Sequence, residues 1–300
     1  MTSLSARCHW LPAAFISLFL GNLACAAAIT VTDDRGEQVG IDAPARRIIT
    51  LAPSLTELVY AAGAGDALIG VARFSDFPPA ARSIAQMGDA SRIDLERVVS
   101  LKPDLVIAWK TGNHAADYER LRSLGMTVFV AEPATLIAIA RLVRAVGTLA
   151  GTLTVAEPAA AEFERGIAAL AAQYRSQAEV RVFYEIWHQP LMTVSGRHLI
   201  SDVIALCGGR NVFAAAPTLT PVVSLESVIA AAPQVVLGGS SATTPAEFAA
   251  PWALASRYAG LAKIRALYVD PDYIQRQTPR VLEGARTVCR HLESVRAAAR

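Results

Sequence analysis

The residues best placed to do chemistry in this 300-residue chain are aromatic and acidic. The chemistry they suit is capture of a ligand. Trp109 closes the apolar run Leu105–Trp109, and Trp187 follows the apolar run 182–186. Phe74 stands in a loop after a strand-like segment at 68–71, and Asp272, Tyr273 and Arg276 follow another at 267–269. Ligands of α/β proteins gather at strand ends. Aromatic walls with a few hydrogen-bonding groups there hold a large, mostly apolar molecule. Taken singly, each aromatic also suits core packing. Glu96 and Glu226 each open a helical segment, where the helix dipole favours a carboxylate by about 0.3–1 kcal/mol. Catalytic signatures are missing: there is no Gly-x-Ser-x-Gly elbow, no HExxH and no P-loop. His114, His188, His198 and His291 fall in separate segments without zinc- or manganese-ligand spacing. An exported enzyme is therefore the competing class, and the reading here is of a non-enzyme.

Alternating strands and helices must position these residues. Residues 29–36 read as a strand and turn, with Val39 and Ile41 in the return strand. Residues 47–51 form a short buried strand. Ser54 is the expected N-cap of the next helix, and Glu57, three residues on, completes a capping box. Gly63 closes that helix. Asp94 caps a helix carrying Leu95, Val98, Val99 and Leu101, which Pro103 stops. A helix through Tyr118, Leu121 and Leu124 ends at Gly125, and 128–130 is a further strand. Such alternation implies βαβ units and largely parallel sheets.

The pattern then recurs. Leu95-Glu96, Val98-Val99, Pro103 and Leu105-Val106 return as Leu225-Glu226, Val228-Ile229, Pro233 and Val235-Val236, all at an offset of 130. Ser224 takes the capping place of Asp94. Repetition at one offset indicates two related α/β lobes, each with its own sheet. Between them lie amphipathic helices at about 135–150 and 155–177, with Pro158 placed in the first turn of the second. Phe163, Ile167, Leu170 and Tyr174 share one face of a helix roughly 33 Å long. The expected organisation is a signal peptide over 1–28, an N-terminal lobe over 29–134, linking helices over 135–178 and a C-terminal lobe over 179–300.

Composition agrees with export. Arg7 precedes an apolar stretch from Leu11 to Leu23, and small residues follow at 24–28, suited to signal cleavage. A signal anchor is the alternative, and Cys25 offers another, lipid attachment after cleavage. A net charge of +2 argues against a dedicated nucleic-acid binder, which would carry a basic face. Cys8 and Cys25 fall in the leader, which leaves Cys207 and Cys289 as a pair in an oxidising compartment. A disulfide is expected, with two buried free thiols as the alternative.

Several motifs carry a family resemblance. Ile48-Ile-Thr-Leu-Ala-Pro-Ser-Leu-Thr-Glu57, Phe74-Ser-Asp-Phe-Pro-Pro79, the run from Leu95 to Trp109, and Cys207-Gly-Gly-Arg-Asn-Val-Phe213 resemble the helical-backbone metal-receptor family of periplasmic substrate-binding proteins. The match spans most of 46–293, and is nearest to the members that bind cobalamin. The resemblance implies two Rossmann-like lobes joined by one long helix, and a cleft for a corrinoid, haem or ferric siderophore. Cobalamin or a related corrinoid is the expected ligand. It implies ligand contacts at Phe74 and Trp109, with Trp187, Asp272, Tyr273 and Arg276 at comparable strand ends. It implies that Glu96 and Glu226, one per lobe, dock a monomeric receptor on the permease dimer of an ABC importer. Ala90 and Thr220 depart from it, being small where cobalamin binders carry tryptophans. For the haem alternative, His188 or Tyr273 would be the axial ligand, and for the siderophore Arg73, Arg197 and Arg276 would supply positive charge.

Overall fold

The computed structural model describes residues 28–239, 242, 244–262 and 264–300. The expected leader over 1–28, with Cys25, lies almost wholly outside the described residues. None of the described helices is long and apolar enough to cross a membrane.

The chain opens with an antiparallel hairpin of β1 (Ile29–Thr32) and β2 (Gln38–Ile41). Then follow β3 (Ile48–Thr50), α1 (Pro53–Ala61) and β4 (Leu68–Gly70), and a two-residue pair, β5 (Gly88–Asp89) and β6 (Arg92–Ile93). Next come α2 (Leu95–Ser100), β7 (Leu105–Trp109), α3 (Ala115–Ser123) and β8 (Val128–Ala131). Two helices, α4 (Leu136–Ala150) and α5 (Leu153–Tyr174), lead to the second lobe. That lobe contains β9 (Val180–Glu185), α6 (Leu199–Leu206), β10 (Gly209–Asn211), α7 (Leu225–Ala231) and β11 (Val235–Gly238). It ends with α8 (Pro245–Ala255), β12 (Arg265–Tyr268), α9 (Pro271–Ile274) and α10 (Val281–Ala298).

Each lobe has a four-stranded, all-parallel sheet, ordered β4-β3-β7-β8 in the first and β10-β9-β11-β12 in the second. Numbered within its own sheet, each order is 2-1-3-4, so the repeat read from sequence is a repeat of topology. Side chains alternate across the strands. Ile48, Leu105 and Ile107 of the first sheet, and Val182, Tyr184, Val235 and Leu237 of the second, face one continuous core built around α1, α4, α5, α6 and α10. Ile49, Val106, Ala108 and Val128 pack instead under α2 and α3, and Phe183 and Val236 under α7 and α8. Helices cover both faces, which is why these strands read as unbroken apolar runs.

The 22-residue α5 runs about 33 Å and carries the chain into β9. Phe163, Leu170 and Tyr174 are buried along it. It turns back from α4 at Gly151, which takes the left-handed conformation (φ 69°) that a helix C-terminus demands and a side chain disfavours. The two helices pack closely because Gly147 has no Cβ: one built there would stand 2.3 Å from the Ala156 Cβ. Pro158 is the sixth residue of α5 and not, as expected, in its first turn, because the helix begins at Leu153.

The caps divide along the same lines. Asp94 accepts from the Arg97 N–H at 2.9 Å, and Ser224 from the Ser227 N–H at 3.2 Å, as read from sequence. The capping box at α1 does not form. That helix starts at Pro53 with Ala52 as N-cap and no side-chain cap. Glu57 is drawn away by Arg276, Thr278 and Arg280, more than 200 residues distant. Leu124 lies just past the end of α3 and is exposed, since only Tyr118 and Leu121 face the sheet.

Cys207 and Cys289 form a disulfide with Cα atoms 4.7 Å apart at a sequence separation of 82. It joins the C-terminus of α6 to the middle of α10. One turn-pair further along α10, Arg296 Nη2 donates to Cys207 O (2.7 Å) and Gly208 O (3.0 Å), satisfying carbonyls that α6 leaves open. In the chain-entropy account, closing such a loop is worth about 4–5 kcal/mol. Reduction, or Cys207→Ala with Cys289→Ala, is therefore expected to lower the unfolding free energy by up to that amount in urea titrations. An unchanged midpoint would contradict it.

Candidate ligand-binding site

A cavity of about 660 Å³ opens between the lobes, within the usual range for small-molecule sites. From the first lobe it is lined by Trp109, Lys110 and Thr111 after β7 and by 132–134 after β8. From the second come Ile186 after β9, His198 and Leu199 at the start of α6, Thr220, and Gln275 and Gln277 around the end of α9. Its walls are thus the C-terminal ends of both parallel sheets, next to the points where strand order reverses (β3/β7 and β9/β11). Strands diverge there, and ligands of open α/β sheets bind there.

Trp109 is held from two sides. Its backbone N–H donates to Asn113 Oδ1 at 2.6 Å, while Asn113 Nδ2 donates to Leu51 O and Ala90 O, each at 2.8 Å. Asn113 is buried, so all its hydrogen-bonding capacity ties the end of β7 to the end of β3 and the β5–β6 turn. The indole lies over Gly112: a Cβ at that position would be 1.7 Å from the ring. Neither residue was singled out from sequence. The Gly-Asn pair just after an apolar strand was the available signal, and it reads as an ordinary turn.

The other expected ligand residues are dispersed. Phe74 is 66% exposed, at a positive φ of 66° that bulky residues rarely adopt, and does not line the cavity. Its loop is pinned beneath it. Ser75 Oγ is 2.9 Å from Thr56 Oγ1, which lies 2.7 Å from Thr50 Oγ1, all three hydroxyls being buried. Trp187 is 49% exposed and donates Nε1–H to Gln189 O at 2.9 Å. His188 sits 3.3 Å from Glu185 and lines a separate groove with Leu191, Trp252 and Tyr258. Ala90 and Thr220 prove to be related by the repeat offset of 130. Thr220 lines the cavity, and Ala90 enters the site only through its carbonyl.

Asp272, Tyr273 and Arg276 belong to a second cluster, which ties the lobes together. Glu57 on α1 is 3% exposed. It accepts from Arg276 Nη1 (2.9 Å), Arg280 Nη1 (3.0 Å) and Thr278 Oγ1 (3.0 Å), all from the other lobe. Arg276 also pairs with Asp76 at 2.6 Å and Asp272 at 3.1 Å. The Arg280 guanidinium lies 3.9 Å from the Phe77 ring centre and 4.7 Å from that of Tyr273. The Arg276 hydrogen bond holds the Asp76 carboxyl below its usual range. Burial acts to lower the Arg276 pKa, but hydrogen bonds to Asp76 and Glu57 outweigh it and raise it.

The docking candidates have a different setting. Glu96 and Glu226 lie in the first turns of α2 and α7 and are exposed. The Glu226 carboxyl is held below its usual range by its own backbone N–H and the Ser224 hydroxyl.

The inter-lobe cluster yields two expectations. Glu57→Ala leaves two cations facing one another and should cost about 3–5 kcal/mol in urea unfolding. A wild-type midpoint would rule out that the cluster ties the lobes. Asp76 has a lowered pKa, so its contribution is present above about pH 3.8 and fades as pH falls through the lower folded value. The difference in melting temperature between wild type and Asp76→Asn should shrink on acidification across that range, and a difference that grows would contradict this sign.

The family model described as periplasmic binding protein matches residues 48–265. The vitamin B12-binding protein of Vibrio cholerae serotype O1 is 35% identical over 250 residues, 83% of this chain and 90% of that protein. That of Vibrio parahaemolyticus is 36% identical over 253 residues, 84% and 91% respectively. Among solved structures, the periplasmic vitamin B12 binding protein BtuF of Vibrio cholerae superposes with a TM-score of 0.76 at 35% identity, covering 84% of this chain and 98% of that one. The periplasmic heme-binding protein RhuT of Roseiflexus sp. RS-1 shares the fold at a TM-score of 0.70 and 24% identity, over 85% and 99%.

Proposed function

The chain belongs to the periplasmic binding protein family, and from that premise we propose that it captures cobalamin or a related corrinoid between its lobes and delivers it to an ABC importer. The observation that carries the reading is the 660 Å³ cavity at the strand ends of both lobes, with Trp109 on its wall. Relatives named as vitamin B12-binding, aligned over 83–84% of the chain, support the ligand class. A corrin is broad, flat and largely apolar, with amide arms at its edge. An indole face matches its plane. The glutamines, Thr220 and His198 offer hydrogen bonds for the arms. Phe74 and Trp187, exposed on the loops after β4 and β9, are the further aromatic contacts we assign. Asp272, Tyr273 and Arg276 flank Gln275 on the same segment, and we assign them to the ligand through that segment.

Binding and release, with no bond made or broken, is the whole of the proposed chemistry. We place the lobe boundaries at 29–134 and 179–300, with α4 and α5 between them. Because α5 is a helix, closure is limited to bending around it and around the Glu57 cluster. Glu96 and Glu226 project from equivalent helices of the two lobes. Two such anions suit arginines on a two-fold symmetric permease dimer, where charge pairs chiefly set register and association rate. A single copy supplies both, so the receptor works as a monomer. Family membership implies the periplasm. Export by a signal peptide cleaved near residue 28 is the proposed route, with lipid attachment at Cys25 as the alternative.

Calorimetric titration of residues 29–300 with cyanocobalamin tests the ligand. One-to-one, sub-micromolar binding is expected, with haem and a ferric siderophore silent. Trp109→Ala should weaken it about 30-fold, or ~2 kcal/mol, and Gly112→Ala, which takes the ring's place, should do likewise. Folded protein that ignores cobalamin but takes haem would replace the ligand while keeping the family. Glu96→Lys with Glu226→Lys should leave the titration unchanged and abolish uptake in cells. Uptake that survives would discard the docking assignment.

A further inference from the structure

His198 is a cavity residue whose ring chemistry is decided by its place in the fold. It is the N-cap of α6, and its Nδ1 accepts the Ile200 backbone N–H at 3.1 Å. An imidazole nitrogen that accepts a hydrogen bond keeps its lone pair and carries no proton. In the neutral ring the proton then sits on the other nitrogen, Nε2. Burial pushes the imidazole pKa down to about 4, so the ring is neutral at any ordinary pH. Nε2 has no hydrogen-bond partner among the described residues, and is not sealed from solvent. Around it on the same wall stand Leu199, Leu219 and Thr220, while the Arg197 guanidinium is occupied by the Pro217 carbonyl.

We propose that His198 is a ligand-recognition residue of the cleft, presenting Nε2–H as a fixed donor to an oxygen acceptor at the edge of the bound molecule. For a corrinoid, the acceptor is the carbonyl of an amide arm; the identity of that acceptor rests on the corrinoid reading above. The same tautomer excludes a second role. A nitrogen that carries a proton has no lone pair for a metal, so His198 does not coordinate the cobalt of the cargo. Freeing Nε2 for a metal would mean moving the proton to Nδ1, which opposes the Ile200 N–H, or losing it altogether. The helix cap thus turns a residue that commonly ligates metals into a pure hydrogen-bond donor.

His198→Asn separates the two functions. The asparagine Oδ1 occupies the place of Nδ1 and is a strong N-cap, whereas the Nε2–H is lost. The variant is expected to melt with the wild type and to bind cyanocobalamin about 5–10-fold more weakly. His198→Ala should lose affinity and thermal stability together. Undiminished affinity in a folded His198→Asn protein overturns the proposal. Long-range ¹H–¹⁵N spectra of the ligand-free wild type read the tautomer independently of any ligand: an Nε2–H ring is expected, and an Nδ1–H ring overturns the assignment. The visible spectrum of aquocobalamin bound to wild type should show no replacement of axial water by imidazole, and a shift abolished by His198→Asn would overturn the exclusion of metal ligation. Failure of the corrinoid reading itself appears separately, as a wild-type titration without heat.

Discussion

The carboxylate of Glu57 lies within one lobe and answers to cations of the other. Three hydrogen bonds reach it from Arg276, Thr278 and Arg280. A buried charge is tolerable only when paired and hydrogen-bonded, so the two lobes can sit in few relative positions that keep this group satisfied. Much of the cleft follows from that constraint. Asp76 and Phe77, which follow Phe74 in its loop, are drawn onto the same two arginines. Gln275 and Gln277 neighbour Arg276 and are thereby carried to the cavity wall. A geometry held by one buried network and one stiff helix leaves little entropy to be lost on binding.

The duplication supplies two equal scaffolds that have diverged where they meet the ligand. Their sheets share one strand order, and their α2 and α7 helices share side-chain caps and exposed glutamates. At the cleft the symmetry ends. The repeat mate of Trp109 is Gly239, where a Cβ would stand 2.4 Å from Val269 O, so no side chain fits. The first lobe therefore offers an aromatic plane, and the second a wall of hydrogen-bonding groups led by His198. A face-to-edge division of this kind suits a flat ligand with polar arms. The outer helices, which meet a symmetric partner in the proposed function, have kept their likeness.

Much of the scaffold was legible because it rests on local rules. Alternating apolar runs gave both sheets, and Asp94 and Ser224 capped the helices they precede. Cys207 and Cys289 met as the even pair remaining after the leader. The site was read less completely. Trp109 was found because a tryptophan at a strand end stands out in an apolar pattern. Asn113 and Gly112, which aim it, look like any turn. Phe74 and Trp187 were equally visible as strand-end aromatics, yet neither lines the cavity, since direction depends on the course of the loop.

Sequence alone thus determined the class of fold, the twofold repeat and the long connecting helix. These depend on periodicity and on neighbours within a few residues, where spacing is geometry. Tertiary structure decided what long-range partners impose. The pattern Ser54-x-x-Glu57 is a capping box on paper, but guanidiniums from positions 276 and 280 outbid a single backbone N–H for the carboxylate. His198 was one scattered histidine among the four that follow the expected leader until the fold set it against the Ile200 N–H at one nitrogen and the cavity at the other. Its proton then had only one place to go, and no spacing rule along the chain encodes that choice.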